Sequence, residues 1–258
     1  MKKVSIATFK FTSCNGCQLQ VVNVDEKLFE LLDNVEFKFF PLIKSDNIIG
    51  EFDVTLVEGS ITTPEEVKVI KKVRELSKVL VAIGACSTAG GIQALRNWVK
   101  VDEFKRYVYP NPEWIKALDK ASPISDYVKV DYELRGCPIS GSQLLYFLSQ
   151  LLRGKGPILP IDSVCMECKR KGNLCVLVAK GIPCLGPVTM AGCGAICPTY
   201  GRGCYGCFGP MRDPRPNALA MRFKEMGLSI KDIELLFKQF TGWSKPFKEL
   251  LNTLGVEK

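Results

Sequence analysis

Eight of the twelve cysteines in this chain lie between Cys165 and Cys207, and the sequence contains no histidine. They are arranged as CMEC, then Cys175 and Cys184, then CGAIC and CYGC. Thiols at this density do not make an ordinary hydrophobic core, so they either pair with one another or bind metal. Any fold of the second half of the chain has to provide for one of these two outcomes.

The start of the chain and its apolar content favour a compartment in which thiols stay reduced. MKKVSIATFK contains no apolar stretch long enough for a signal peptide, and no apolar run reaches the length of a membrane span. We therefore expect a cytoplasmic protein, in which many cysteines indicate metal binding or redox chemistry. The cytosol of hyperthermophiles is the exception, and the Lys-, Ile- and Val-rich composition leaves disulfides open as an alternative.

The formal net charge of +8 does not by itself indicate a nucleic-acid partner. Metal-bound cysteines are thiolates, so metal binding would remove much of this positive charge. The sequence also has no run of Lys and Arg interleaved with aromatic residues. We therefore expect no nucleic-acid binding.

The first half of the sequence alternates apolar strands with helical stretches. Strands are predicted at residues 4–10, 35–40, 53–61, 79–84 and 128–134, and helices at about 19–32, 64–77 and 142–152. Thr63 and Glu66 form a capping box that begins the second helix, and residues 89–125 are less regular, with short helices around Trp98 and Trp114. Continuous apolar strands between helices are typical of a parallel sheet covered on both faces. We predict an α/β domain over residues 1–153.

Four cysteines of this half each follow a predicted strand: they are Cys14, Cys17, Cys86 and Cys137. The carboxyl ends of parallel strands meet at one edge of a sheet, where α/β proteins bind ligands, so these thiols can converge. Glycines lie beside them at positions 16, 84 and 136, and would let the backbone approach a bulky inorganic group. Buried hydrophobic cysteines and a thioredoxin-type CxxC are the alternatives, and the latter explains neither Cys86 nor Cys137.

Glu58 also falls at the end of a predicted strand, in LVEGSI. One interpretation is a solvated or loop-capping carboxylate. The other places it beside the metal site or on the proton path of a partner. The sequence leaves both open.

The sheet pattern stops at Gly154, where the linker-like GKGPILP begins. We therefore assign residues 154–258 to a second domain. Its cysteine-rich segment has little apolar periodicity, so metal has to supply folding free energy. The tail from Pro214 is helical, with Gly227 ending one helix and a capping box at Ser229 and Asp232 beginning the next.

The eight cysteines of the second half divide in sequence order into two sets of four. The first set is Cys165, Cys168, Cys175 and Cys184, and the second is Cys193, Cys197, Cys204 and Cys207. Four thiolates suit either tetrahedral zinc or a four-iron cluster, and Cys197-Pro198 is a weak indication of iron–sulfur. A zinc-stapled interaction module without a redox role therefore stays open as a different class of function.

No side chain is predicted to be catalytic. The sequence has no P-loop, no GxGxxG fingerprint and no histidine that could act as a general base.

Several segments together resemble the small, electron-transferring subunit of nickel–iron hydrogenases. They are TSCNGCQLQ, VEGSI, IGACSTAGGIQA, GCP at 136–138, and PCLGPVTMAGC followed by CxxxCP and CxxC. The soluble cytoplasmic branch, in particular the delta subunits of archaeal sulfhydrogenases, is the most similar. The resemblance implies a flavodoxin-like domain with a proximal cluster, followed by an irregular iron–sulfur domain with medial and distal clusters and C-terminal helices.

The resemblance also implies a ligand set for each cluster. The proximal ligands are Cys14, Cys17, Cys86 and Cys137, the medial ligands Cys193, Cys197, Cys204 and Cys207, and the distal ligands Cys165, Cys168, Cys175 and Cys184. Many membrane-linked relatives have a histidine in place of Cys165, and a proline with a three-iron medial cluster in place of Cys197. We therefore predict three [4Fe-4S] clusters, with a lowered distal potential because a thiolate replaces a neutral imidazole.

The implied function is electron transfer between a large subunit that holds the nickel–iron site and an iron–sulfur or FAD- and NAD(P)-binding subunit. Such a low distal potential suits NADP(H) or sulfur as the acceptor, and a heterotetramer is expected. A deazaflavin-linked or heterodisulfide-reductase-linked hydrogenase is the alternative within the same fold. The cluster-bearing subunit of respiratory complex I shares the α/β domain but carries adjacent cysteines, and this sequence has no Cys-Cys pair.

Overall fold

A parallel sheet of five strands organises the first of the two units into which the chain divides. The computed structural model describes residues 3–24 and 34–255, and the two units are Met1–Leu159 and Pro160–Lys258. The linker-like composition predicts a domain boundary between residues 153 and 154. This boundary stays a prediction, and the two units of the structure meet between Leu159 and Pro160.

The strands are β1 (Val4–Lys10), β2 (Val35–Phe39), β3 (Phe52–Glu58), β4 (Ser77–Ile83) and β5 (Tyr132–Leu134). Their order across the sheet is β2-β1-β3-β4-β5, and every pairing is parallel. This confirms the predicted α/β fold and is the flavodoxin order, whose switch point lies between β1 and β3. Two strands are shorter than predicted: β3 ends at Glu58 because Ser60 and Ile61 form isolated bridges elsewhere, and β5 pairs with β4 over three residues only.

The helices of the first unit are α1 (Gly16–Val22), α2 (Pro64–Glu75), α3 (Gly84–Ala89), α4 (Val101–Val108) and α5 (Gly141–Leu152). The first predicted helix begins earlier than expected, and its stretch over residues 25–33 lies outside the described residues. The capping box of α2 is confirmed, since the Glu66 N–H donates to Thr63 Oγ1 and the Thr63 N–H donates to Glu66 Oε2. Short 3-10 helices at Ile92–Trp98 and Pro112–Trp114 occupy the irregular region.

Apolar side chains bury both faces of this sheet. Ile6 and Leu56 on one face share a buried cluster with side chains of α1 and with Phe147 of α5, and Val57 on the other face shares one with Ile70 of α2. Full burial of an aliphatic side chain contributes about 1.5–3 kcal/mol, so the first unit has a core of its own. The carboxyl edge of the sheet is therefore a preformed platform for the loops that follow the strands.

The second unit combines short helices with a helical tail. The short helices are α6 (Val164–Arg170), α7 (Val176–Ala179) and α8 (Ile196–Thr199), and the tail has α9 (Pro216–Glu225), α10 (Ile230–Lys238) and α11 (Lys245–Thr253). The rings of Phe223, Phe237 and Phe247 pack together in the tail, with centroids 6.3 Å and 5.4 Å apart. The predicted capping box of α10 is confirmed, because the Asp232 N–H donates to Ser229 Oγ at 3.2 Å. Within the described residues, no helix is both long and apolar enough to cross a membrane.

The cysteine-rich segment has a small buried cluster of its own. Its buried members are Val164, Val176, Cys184, Ala195 and Cys204. Two of the five are thiols and none is larger than valine, and Leu185 and Val188 are buried in the same segment, so apolar burial contributes less here than in the sheet of the first unit. The prediction that metal supplies folding free energy here is consistent with this composition.

Asp53 provides a test of the interactions that stabilise the sheet, because its side chain on β3 binds residues of the neighbouring strands β1 and β4. Its carboxylate accepts hydrogen bonds from the Ser5 N–H and Oγ, both at 2.9 Å, and from Lys78 Nζ at 2.7 Å. The lysine first, and then the serine backbone, lowers the pKa of Asp53 to about 2. Asp53→Asn is expected to lower the free energy of unfolding at pH 7 by about 1 kcal/mol, a value reduced for solvent screening.

The folded-state pKa of Asp53 lies below its unfolded value of about 3.9, so this contribution is complete above that pH and is lost as the pH falls toward 2. Urea unfolding followed by circular dichroism from pH 8 to pH 3 would measure it. Asp46→Asn is the control, since that side chain is 83% exposed and lies 3.6 Å from Lys44. An equal loss in both variants, or a loss that does not shrink below about pH 4, would contradict the assignment.

Candidate metal centres

The structure brings four thiols together at the carboxyl edge of the sheet: Cys14, Cys17, Cys86 and Cys137. Cys14 and Cys17 lie on the loop after β1 and the first turn of α1, Cys86 lies on α3 directly after β4, and Cys137 follows β5. Burial first, and then the neighbouring Cys137 and Cys14, raises the pKa of Cys86 to about 11. Such mutual charge effects require the thiols to be close, as the predicted proximal set requires.

Glycines leave the space that these thiols occupy. Gly84 has a φ of +88°, and a Cβ there would collide with Cys17 Sγ. A Cβ on Gly91, whose φ is +63°, would lie 2.6 Å from Cys86 Sγ. The Ala85 N–H also donates to the Gly136 carbonyl at 2.7 Å, which joins the loops that carry Cys86 and Cys137. The approach of the backbone to an inorganic group at Gly16, Gly84 and Gly136 stays a prediction.

Glu58 is buried beside this set, with 1% of its surface exposed. Its carboxylate accepts from the Gln18 N–H at 2.9 Å and from the Cys17 N–H at 3.3 Å. Burial raises the pKa of Glu58, and these two donors act against that rise. Glu58 is thus a buried carboxylate that caps the first turn of α1 and holds the backbone of Cys17. Its place on the proton path of a partner stays a prediction.

The second unit contains a cavity of about 130 Å³ whose wall includes four thiols: Cys165, Cys168, Cys175 and Cys184. A single water needs about 10–15 Å³ by this measure, so the cavity has room for a larger group. Across residues 3–24 and 34–255, no three side chains of the ligand-forming types converge tightly enough to hold a single metal ion. The thiols of the predicted distal set line this cavity.

Helix α6 explains how two of these thiols share one wall. Cys165 and Cys168 are three residues apart and so lie on the same face of the helix. Burial first, and then Cys184, raises the pKa of Cys165 to about 11. A Cβ on Gly186 would lie 3.3 Å from Cys184 Sγ and 3.7 Å from Cys165 Sγ, so a glycine also makes room here.

The remaining four thiols lie close to one another as two pairs. Cys197, on α8, contributes to the raised pKa of Cys193 on the loop before that helix, and Cys207 contributes to the raised pKa of Cys204 on the CYGC loop. Each pair approaches Cys184, Cys197 through its charge and Cys204 through a backbone N–H that donates to Cys184 Sγ at 3.1 Å. Cys184, a member of the predicted distal set, thus lies near one cysteine of each pair.

Sequence reasoning missed Glu167, which lies inside CMEC. Its carboxylate accepts from the Gly192 N–H at 2.9 Å and from the Ala195 N–H at 3.0 Å, on the loop that carries Cys193. Its partners lie 25 and 28 residues away in sequence, so no local pattern points to them. One signal was present, because Glu167 is the single acidic residue between positions 163 and 208.

These donor sets fit iron–sulfur clusters. All twelve cysteines are free thiols, the four of the predicted distal set line one cavity, and glycines leave room beside the sulfurs of Cys17, Cys86 and Cys184. Burial raises the pKa of Cys17 and Cys204 above the usual thiol range, so a cationic group has to compensate the thiolates. Metal binding here would therefore release protons.

Known proteins share both the family and the fold of this chain. The family model described as NADH ubiquinone oxidoreductase, 20 Kd subunit, matches residues 14–151, which contain all four cysteines of the first unit. The delta subunit of Sulfhydrogenase 2 from Pyrococcus furiosus is 35% identical, over 93% of this chain and 100% of that protein. A vhu subunit of the F420-non-reducing hydrogenase from Methanocaldococcus jannaschii is 34% identical, over 92% of this chain and 94% of that protein.

Solved structures of hydrogenases also match this chain. An NAD+-reducing [NiFe]-hydrogenase in the H2-reduced state matches with a TM-score of 0.56 and 33% identity, over 62% of this chain and 96% of that chain. The actinobacterial-type NiFe-hydrogenase from Ralstonia eutropha H16 matches with a TM-score of 0.57 over 99% of this chain and 89% of that chain. At 18% identity, this second match concerns the fold alone.

The space left by Gly84 leads to a prediction about the first-unit thiols. Gly84→Ala is expected to displace Cys17, because its Cβ would overlap Cys17 Sγ at a positive φ that alanine adopts poorly. Metal analysis of the purified variant should show a loss of about one third of the bound metal, since four of the twelve thiols lie in this set.

Gly227→Ala is the matched control. Its φ of +89° imposes the same backbone strain, but no atom lies within 4 Å of the position of its Cβ. Equal metal content in the two variants would show that the contact with Cys17 is unimportant.

Proposed function

This chain belongs to the 20 Kd subunit family of NADH ubiquinone oxidoreductase and, within it, to the small subunits of [NiFe] hydrogenases, and from this premise we propose that it serves a cytoplasmic hydrogenase of the sulfhydrogenase type. As a small subunit of this family it transfers electrons. In the proposal the electrons run between a hydrogen-activating large subunit and a flavin-containing module that exchanges them with NADP(H) or sulfur.

The main support is the similarity along nearly the whole chain to a sulfhydrogenase delta subunit, at 35% identity over 93% of the residues. Small subunits of this family carry iron–sulfur clusters, and this chain supplies twelve free thiols. We assign them to three [4Fe-4S] clusters, each of which takes up and releases one electron at a time when bound. The hydrogen chemistry belongs to the large subunit, because no side chain here is assigned a role as acid, base or nucleophile.

Each cluster has a proposed ligand set of four thiolates. The proximal set is Cys14, Cys17, Cys86 and Cys137, the medial set Cys193, Cys197, Cys204 and Cys207, and the distal set Cys165, Cys168, Cys175 and Cys184. The shared cavity supports the distal assignment, and the mutual charge effects of the first-unit thiols support the proximal one. The contact from the Cys204 N–H to Cys184 Sγ supports electron transfer between neighbouring medial and distal sets.

The surface around the distal set supports the exit of electrons to another subunit. Leu174 and Val178 flank exposed Cys175 and are themselves 64% and 79% exposed. Exposed basic residues lie on the same segment: they are Lys169, Arg170, Lys171 and Lys180. An apolar centre with a basic surround suits a redox partner whose docking face is acidic.

A second candidate keeps the subunit and changes the acceptor. The 34% identity to the vhu subunit of an F420-non-reducing hydrogenase is nearly as high as that to the sulfhydrogenase delta subunit. Because F420 is a deazaflavin, this relative supports an acceptor other than deazaflavin, such as heterodisulfide reductase, and the deazaflavin-linked alternative stays a prediction without support from it. The acceptor therefore has to be identified by assay, with hydrogen as donor and NADP+, sulfur, deazaflavin or heterodisulfide as acceptor.

Metal content tests the proposal against a zinc-stapled interaction module. The full chain, purified anaerobically, is expected to be brown, with about twelve iron and about twelve labile sulfide per chain, because three four-iron cubanes need that number. Iron, zinc and sulfide analysis would measure this. Colourless protein with about three zinc ions per chain would end the electron-transfer proposal.

The thiolate at position 165 leads to a prediction about potential. Cys165→His places a neutral imidazole where a thiolate stands, so it is expected to raise the reduction potential of one cluster while iron content stays constant. Potentiometric titration followed by electron paramagnetic resonance would detect the shift. Cys165→Ser is the comparison, because a bound serine stays an anionic ligand. An unchanged reduction potential of every cluster in Cys165→His would refute the distal assignment.

A further inference from the structure

Glu167 lies between two predicted ligands of one cluster and contacts the loop of another. Helix α6 carries Cys165 and Cys168, and Glu167 stands between them. Its carboxylate turns to the loop of residues 192–195, where Oε1 accepts from the Gly192 N–H at 2.9 Å and Oε2 from the Ala195 N–H at 3.0 Å. One side chain therefore joins the helix of the distal set to the loop of the medial set.

The loop that Glu167 holds has an unfavourable backbone. Gly192 and Gly194 have positive φ angles of +134° and +68°, and Ala195 has +52° although it carries a Cβ. A left-handed conformation costs an alanine about 1–2 kcal/mol, so the loop needs contacts that hold it. Ala195 is fully buried and precedes α8, which carries Cys197, so the position of this turn sets the positions of two predicted ligands.

The same carboxylate brings negative charge to a ligand sulfur. Glu167 Oε2 lies 3.8 Å from Cys193 Sγ. A cysteine that binds metal is a thiolate and can no longer donate to the carboxylate, so the two would repel each other. The Gly192 and Ala195 N–H groups hold the carboxylate in place despite this repulsion. Negative charge near a cluster makes it harder to reduce.

We propose that Glu167 is a positioning residue that fastens the Cys193 loop to α6 and lowers the reduction potential of the cluster held by Cys193 and Cys197. The inference rests on the proposed iron–sulfur function and assigns a role that the ligand sets alone do not contain. The backbone N–H groups of Ile196 and Ala195 act in the opposite direction, because they lower the pKa of Cys193 and hydrogen bonds to cluster sulfurs raise the reduction potential, so the carboxylate offsets their effect.

Charge removal at constant shape is the first test. Glu167→Gln keeps the size of the side chain, loses the charge, and turns an NH2 group toward one of the two backbone donors. In the hydrogenase complex, potentiometric titration followed by electron paramagnetic resonance is expected to show the largest upward shift for the cluster of Cys193. A smaller shift is expected for the cluster of Cys168, on which the Glu167 charge also acts, and none for the cluster of the first unit. Cys193→Ser, measured alongside, identifies the signal that belongs to the Cys193 cluster.

Two further variants separate charge from mere structural support. Glu225→Gln removes the same charge from an exposed site in the second unit, where Glu225 pairs with Arg222 at 3.0 Å, and should leave all potentials unchanged. Glu167→Asp keeps the charge but is too short to reach both donors. It should lose iron faster to a chelator than the parent protein, with a potential nearer to the parent value than that of Glu167→Gln.

The possible results separate the proposal from its alternatives. A fully iron-loaded Glu167→Gln protein with unchanged potentials overturns the proposal, as does a shift confined to a cluster other than that of Cys193. A Glu167→Gln protein that lacks one cluster supports it if the missing signal is the one altered in Cys193→Ser, and overturns it otherwise. Parent protein that contains zinc and no iron–sulfur signal instead overturns the proposed function itself.

Discussion

The cost of placing several thiolates close together inside a protein is the constraint on which this structure depends. Burial and mutual repulsion raise the pKa of Cys86 and Cys165 to about 11, so without a cation these side chains stay protonated. The two units differ in the interactions that offset this unfavourable free energy. The first unit has a sheet buried on both faces, and its thiols stand at an edge that the core already defines. The cysteine-rich segment of the second unit has thiols among its own few buried residues, so its order depends more on what the thiols bind.

Both units use a carboxylate for the same structural task. Glu58 accepts two backbone N–H groups on the turn that carries Cys17, and Glu167 accepts two on the loop that carries Cys193. Charge-assisted hydrogen bonds are roughly twice as strong as neutral ones, which suits loops that contribute little apolar surface. A carboxylate so placed fixes a ligand loop and also adds negative charge near it. The position of the cysteine-bearing loop and the reduction potential of a cluster bound there are therefore linked.

Local pattern explains what could be predicted from the sequence. The strands β1 and β4, and the capping boxes at Thr63 and Ser229, follow from neighbouring residues, and the structure has them. The length of β5 could not be predicted, because only residues 132–134 find a partner on β4. Glu167 was missed for a similar reason, since its donors are backbone groups 25 and 28 residues away and leave no periodic signal. Cysteine spacing predicts three sets of four ligands, which stay predictions, and the contacts of Cys184 with both second-unit sets appear only in three dimensions.

The identity of the electron acceptor lies outside the ligand sets. Subunits of a sulfhydrogenase and of an F420-non-reducing hydrogenase are 35% and 34% identical to this chain, so overall similarity does not separate them. Several of the predicted ligands have glycines packed against their sulfurs, and such close contacts leave little freedom to vary with the partner. Exposed residues beside the distal cavity, such as Leu174, Val178 and Lys180, have no such restriction. Partner choice is therefore expected to be encoded in this surface, and the potentials in the groups that contact the sulfurs.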